Sequence, residues 1–118
     1  CIRACPSHAL TYMKDSLGAL LTEPMQAVSK EIGSIFYITA LVNITNRCDC
    51  DANPGPPLCR DIGFLVSDDP VAIDSAAIDL IEKEKPDFFK NMGLNPKEQT
   101  IAGEKYGLGN QKHELIES

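Results

Sequence analysis

Five cysteines, Cys1, Cys5, Cys48, Cys50 and Cys59, are the residues of this 118-residue chain whose type and spacing point most directly to chemistry. Cys1-Ile2-Arg3-Ala4-Cys5-Pro6 has the spacing C-x3-C-P. That is the closing half of the run C-x2-C-x2-C-x3-C-P, in which thiolates hold iron–sulfur clusters and the proline turns the chain away. Cys48-Asp49-Cys50 is a second pair. A one-residue spacer on a curved loop can aim two thiolates at one metal or cluster, and it suits a relaxed disulfide poorly. Thiolates persist at neutral pH beside positive charge. Arg47 and Arg60 flank this loop and are expected to supply it. Cys59 is a third candidate ligand for the same loop. The plainer alternative for both sets is that the cysteines simply pack as small hydrophobes.

An odd number of cysteines cannot all pair within one chain. No leader-like charged and apolar stretch stands ahead of them, so the expected compartment is a reducing cytoplasm, where cysteines serve metals more often than disulfides. Every cysteine falls in residues 1–59, and the whole net charge of −6 lies in residues 61–118. The acidic balance argues against nucleic acid as a partner, since no Lys/Arg cluster is present to displace counterions. The absence of Trp argues against a base-stacking platform. No apolar run approaches the roughly 18 residues of a membrane-spanning helix.

The elements that must position these groups follow from periodicity. Ala9–Met13 reads as a short strand, and Asp15, Ser16 and Gly18 as a turn. Glu23–Ile32 reads as a helix with Pro24 in its first turn and Gly33 after its end. Ile35–Ile44 is apolar on both alternating faces, as in a central strand covered on both sides. Residues 46–60 form a loop around Asn53-Pro54-Gly55-Pro56-Pro57. Ile62–Val66 is a second buried strand. Asp69 caps a helix that opens on Pro70 and carries Ile73, Ala76, Ala77, Leu80 and Ile81 on one stripe, with Ser75, Asp79 and Glu82 opposite and solvated charge at Glu82–Lys85. A helical turn over Pro86–Met92, a helix capped at Asn95 with Glu98 as its box partner, and an edge strand over His113–Ile116 complete the chain. The alternation predicts an α/β fold with a mixed, largely parallel sheet and flanking helices in a single domain.

Asp61, Asp68 and Asp74 fall where strands meet loops and the second helix, the usual place for ligands in α/β sheets, and form a candidate carboxylate site. Asp74 sits at the flank of the apolar stripe and needs donors, expected from backbone N–H groups of the preceding loop. His8, three residues from Cys5, and His113 read as loop histidines. Gly107-Leu108-Gly109 is too short for a nucleotide fingerprint.

Three stretches carry a family likeness. They are Asn43 to Cys50 with its Cys-Asp-Cys, then Pro54-Gly55-Pro56-Pro57, then Asp61 to Asp74 with its Asp-Pro-Val-Ala-Ile-Asp; Glu104 to Ile116 extends the match. Together with the opening C-x3-C-P they resemble the uncharacterised iron–sulfur-centre proteins, a prokaryotic family of unknown function with a ferredoxin segment embedded in a larger α/β chain. The resemblance implies the C-terminal portion of a longer protein. Residues 1–14 would be the tail of the ferredoxin-like segment, residues 15–118 the α/β part, and the other two cysteines of the run would be expected before Cys1. It further implies a 4Fe-4S type centre held by Cys1, Cys5, Cys48 and Cys50, a role in electron transfer, and a redox partner beside the N-terminal part of its own chain. Two other readings follow from the residues themselves. One is a structural zinc site built from the same thiolates, with Cys48, Cys50 and Cys59 as its loop ligands. The other is an enzyme domain using Asp61, Asp68 and Asp74, for which no motif fixes a reaction. Apolar surface left by an absent half would favour a homo-oligomer.

Overall fold

The structure, a computed structural model, describes residues 5–7, 9, 16–47 and 51–117. Six elements follow in order: α1 (Leu17–Ile32), β1 (Tyr37–Leu41), β2 (Gly63–Ser67), α2 (Pro70–Glu84), α3 (Phe88–Asn91) and α4 (Lys97–Lys105). β1 and β2 pair antiparallel, from Tyr37 opposite Ser67 to Leu41 opposite Gly63. α2 packs on this pair and on α4, and α1 packs on α4. The layers therefore run from hairpin to α2 to α4 to α1.

The expected parallel sheet is not found among the described residues. The sheet has two strands and they run antiparallel. The reason is the connection. Parallel neighbours need a crossover that carries the chain back along the sheet, usually a helix. Residues 42–62 contain no helix among those described. Instead, the N–H of Ile62 bonds the carbonyl of Leu41 at 2.9 Å, and that of Leu58 bonds the carbonyl of Ile44 at 2.8 Å, so the chain doubles back at once. The strand expected at His113–Ile116 is absent too, and that segment forms no ladder. Apart from Ala9, the strand expected at Ala9–Met13 lies outside the described residues.

β1 is expected to be covered on both sides, but among the described residues only one side is. Leu41 is buried, whereas Ile38 on the other face is 68% exposed and Val66 opposite it is 56% exposed. One helical layer covers one sheet face. At Asn43 the backbone turns left-handed (φ 53°), which ends the alternation, and Ile44 packs against the core. That core is Leu41, Ala77, Ile81 and Phe88, with Leu58, Ile62 and Leu65 packed against it.

The first helix starts earlier than the sequence suggests. Ser16, read as a turn residue, is its cap and accepts a hydrogen bond from the N–H of Ala19 at 3.2 Å. Pro24 therefore lies inside the helix, at the cost of one backbone hydrogen bond. Two glycines let the helices close on one another. A Cβ at Gly18 would stand 3.0 Å from the backbone of Gln99, and one at Gly103 would stand 2.7 Å from Val71 Cγ2. Helix α2 is buried on more than its apolar stripe, because the hairpin and α4 flank it on two sides. Ser75, expected on the outer face, is buried for that reason. Helix α4 lacks the expected capping box: the N–H of Glu98 bonds the carbonyl of Asn95 at 3.4 Å, and no side chain caps the helix.

Asp69 ties three parts together. Its Oδ1 accepts the N–H groups of Val71 and Ala72 at 2.8 and 2.9 Å, and its Oδ2 accepts that of Asn110 at 2.9 Å. It is the cap the sequence predicts, and it also anchors the segment after α4. Replacing it by Ala should destabilise the fold by about 2 kcal/mol, since a helix cap and a second charge-assisted bond are lost together. Urea unfolding of Asp69→Ala against the parent checks this, with Asp69→Asn expected to fall between them.

Candidate functional site

The thiol-bearing loop is built on the end of the hairpin. Its two sides meet at the Leu58–Ile44 hydrogen bond, which closes residues 45–57 into a loop with a fixed neck. Three side chains reinforce that neck. Lys85 Nζ, at the end of α2, donates to the carbonyl of Leu58 at 2.8 Å. Arg60 grips Glu84 through Nε at 2.8 Å and through Nη2 at 3.2 Å. Asp61 Oδ1 accepts the N–H of Asn43 at 2.7 Å. Cys59 stands between two of these anchored residues as a half-buried thiol outside any disulfide. Cys1, Cys48 and Cys50 lie outside the described residues. Cys5 is half-buried, with its Sγ 3.5 Å from Ser7 Oγ.

The sequence did not reveal how the neck is held. Glu84 and Lys85 read as solvated charge at a helix end, yet both reach back to the loop. Their place one turn after the core residue Ile81 was the available signal. Arg47 and Arg60 also differ from expectation. Both are paired with carboxylates, Arg47 Nη1 with Asp51 at 3.1 Å and Arg60 with Glu84. The Arg60 guanidinium holds the Glu84 carboxyl below its ordinary range. Opposite charge satisfies each arginine first, which leaves less of it for a thiolate.

The three candidate carboxylates do not share a site. Asp61 precedes β2 and Asp68 follows it, so the strand of five residues, about 17 Å long, separates them. Asp61 is engaged by the Asn43 N–H, and Asp68 is exposed. Asp74 is on α2, in a cavity of about 30 Å³ lined by Leu21, Thr22, Met25, Gln99 and Thr100, which is room for one water. The backbone donors expected for Asp74 belong to Asp69, and no group among the described residues donates to it. His113 Nδ1 is 3.0 Å from the carbonyl of Gln111, and its Nε2 is 3.7 Å from Asp79 Oδ2. His8 lies outside the described residues. Among the described residues no three His, Cys, Asp or Glu side chains converge to hold a metal. Gly107, in a left-handed conformation (φ 72°), ends α4 as the N–H of Leu108 bonds the carbonyl of Gly103 at 2.9 Å. A helix ends there, and no phosphate loop begins.

Burial pushes the Asp74 carboxyl above its ordinary value of 3.8. The folded chain therefore keeps a proton that the unfolded chain has already lost. Stability from this group is full below the unfolded value and declines as pH rises through the raised folded value. Asp74→Asn removes that slope. The variant should match the parent near pH 4 and unfold at a temperature several degrees higher near pH 7. Thermal melts across that range check the sign, and the difference between variant and parent isolates Asp74 from Glu84, whose shift runs the other way.

No helix of the described residues is long and apolar enough to cross a membrane. Comparison with curated proteins returns no match, and comparison with solved structures returns none. A family model described as a domain of unknown function (DUF362) matches residues 4–79, which include α1, β1, β2, the thiol-bearing loop and α2 as far as Asp79. The match covers more than half of the chain and takes in the whole neck except its α2 anchors, Glu84 and Lys85. The chain belongs to the DUF362 family.

Proposed function

We propose that this chain holds an iron–sulfur cluster of the 4Fe-4S type and serves electron transfer. The observation that carries the reading is the closed neck at Leu58 and Ile44, which fixes Cys59 at the base of the segment bearing Cys48 and Cys50. A loop whose ends are already joined has lost part of its chain entropy before any ligand arrives, so less is lost when thiolates gather on a centre. The donor set fits in kind: thiolates are the ligands of such clusters, and C-x3-C-P is the spacing that closes a cluster-binding run. Four ligands complete such a centre: Cys1 and Cys5 from the opening segment and Cys48 and Cys50 from the loop, with Cys59 at the loop base as the thiol that can replace a loop ligand. A bound cluster supplies reversible one-electron transfer. The protein's own part is to fix the loop base, through Lys85 and Arg60, so that cluster geometry does not depend on a free chain.

Zinc on the same thiolates is the competing outcome, since four of them complete a closed tetrahedral site. Anaerobic reconstitution of the full chain with iron and sulfide separates the two. The expected product carries iron and acid-labile sulfide in equal amounts. Cys48→Ser and Cys50→Ser should each lower retained iron by more than half, and Cys59→Ser should lower it too, while Cys59→Ser leaves the far-ultraviolet circular dichroism unchanged. Zinc retained without sulfide, or iron retention indifferent to all three substitutions, would overturn the proposal.

A further inference from the structure

The outer face of the hairpin is apolar, and no described residue covers it. Phe36 is 67% exposed, Ile38 68%, Phe64 70% and Val66 56%, with Val42 at its margin. Of the helices, α2 is the one with extensive contact to β1 and β2, and it lies on the inner face. Neither Ser34–Asn46 nor Ile62–Ser67 contains a charged residue. Among the described residues both strands are edges, and neither carries the lysine or proline with which monomeric sheets guard an edge. A two-stranded sheet is also marginal by itself and gains from a second layer.

We infer that this face is a two-fold interface on which a second copy of the chain packs, hairpin against hairpin. The area is sufficient. Five exposed side chains of this size present on the order of 600 Å² per copy, about 1,200 Å² for a pair, which reaches the lower bound of stable interfaces. Monomers seldom leave a contiguous apolar patch of that extent. The face carries no charge, so it offers nothing to a nucleic acid or a charged peptide.

Its relief is self-complementary. Ala40 stands opposite Phe64 in the register, and Ile38 opposite Val66. The small Ala40 leaves a dip beside the projecting Phe64. In a two-fold pairing the Phe64 ring of each copy enters the dip at Ala40 of the other, and one patch serves both subunits. Two sheets facing in this way sit about 10 Å apart and bury both outer faces as a sandwich core.

Sedimentation velocity of the full chain tests this over about a hundredfold range of concentration. A monomer–dimer equilibrium is expected. Phe64→Glu should weaken dimerisation at least about tenfold by burying an unpaired charge, with circular dichroism unchanged because Phe64 contributes little to the monomer core. Ala40→Phe is the sharper probe. It makes the face more apolar but fills the dip, so pairing should weaken by about tenfold or more. A monomer at every concentration would overturn the inference and leave the face to another segment of its own chain or to a different protein. Association that Ala40→Phe strengthens, or that grows past the dimer into open-ended aggregates, would overturn it as well, since unspecific adhesion behaves in that way.

Discussion

The hydrogen bond from the Leu58 N–H to the Ile44 carbonyl, seconded by that from Ile62 to Leu41, is the constraint on which the rest of the molecule depends. It makes β1 and β2 a hairpin rather than neighbours joined by a crossover. It delivers Leu58, Ile62 and Leu65 to the same core as Leu41 and Ile81. It also joins the two sides of the loop base, at Ile44 and Leu58. Its strength comes from context. A single backbone hydrogen bond contributes only about 1 kcal/mol net, but a break here would also strand the polar groups of Leu58 and expose the core beneath them. Lys85 and Glu84 tie the neck to the end of α2.

Helix α2 is the other organising part. It is flanked by the hairpin on one side and by α4 on the other, and Asp69 starts it while fixing the segment that follows α4. Close approach at Gly103 and Gly18 carries the packing outward to α1. Burial on two sides also has costs. The Ser75 hydroxyl is buried without a partner, beside a polar cavity of about 60 Å³ that has room for water. The Asp74 carboxyl is partly stripped of solvent, with no donor among the described residues. Both are small penalties, accepted where a helix must serve two interfaces at once.

Local chemistry was legible in the sequence. Asp69-Pro70 marked the start of α2, and the spacing of Ile73, Ala76, Ala77 and Ile81 marked its buried side, because capping and periodicity act within a few residues. The same logic misled at α1. Pro24 looked like a first-turn proline, but packing of Gly18 against Gln99 extends the helix past it. Strand pairing was not legible. Alternation gives the faces of β1 and β2 but not their direction, and direction is set by a neck bond across residues 44 and 58. Of the candidate ligands, Cys59 lies at the neck. The roles of Glu84, Lys85 and Asp61 depend on contacts more than ten residues away in sequence, which no local pattern encodes. For the carboxylates, adjacency in sequence to one strand places Asp61 and Asp68 at its opposite ends, a separation that sequence order alone does not convey.

The central claim is that the loop closed at Leu58 and Ile44 gathers thiolates on one metal–sulfide centre. X-ray absorption at the iron edge of the anaerobically reconstituted full chain measures this directly. The account predicts a first shell of sulfur alone around iron, with a second iron at cluster distance. A first shell of oxygen or nitrogen, or isolated iron with no iron neighbour, would contradict it.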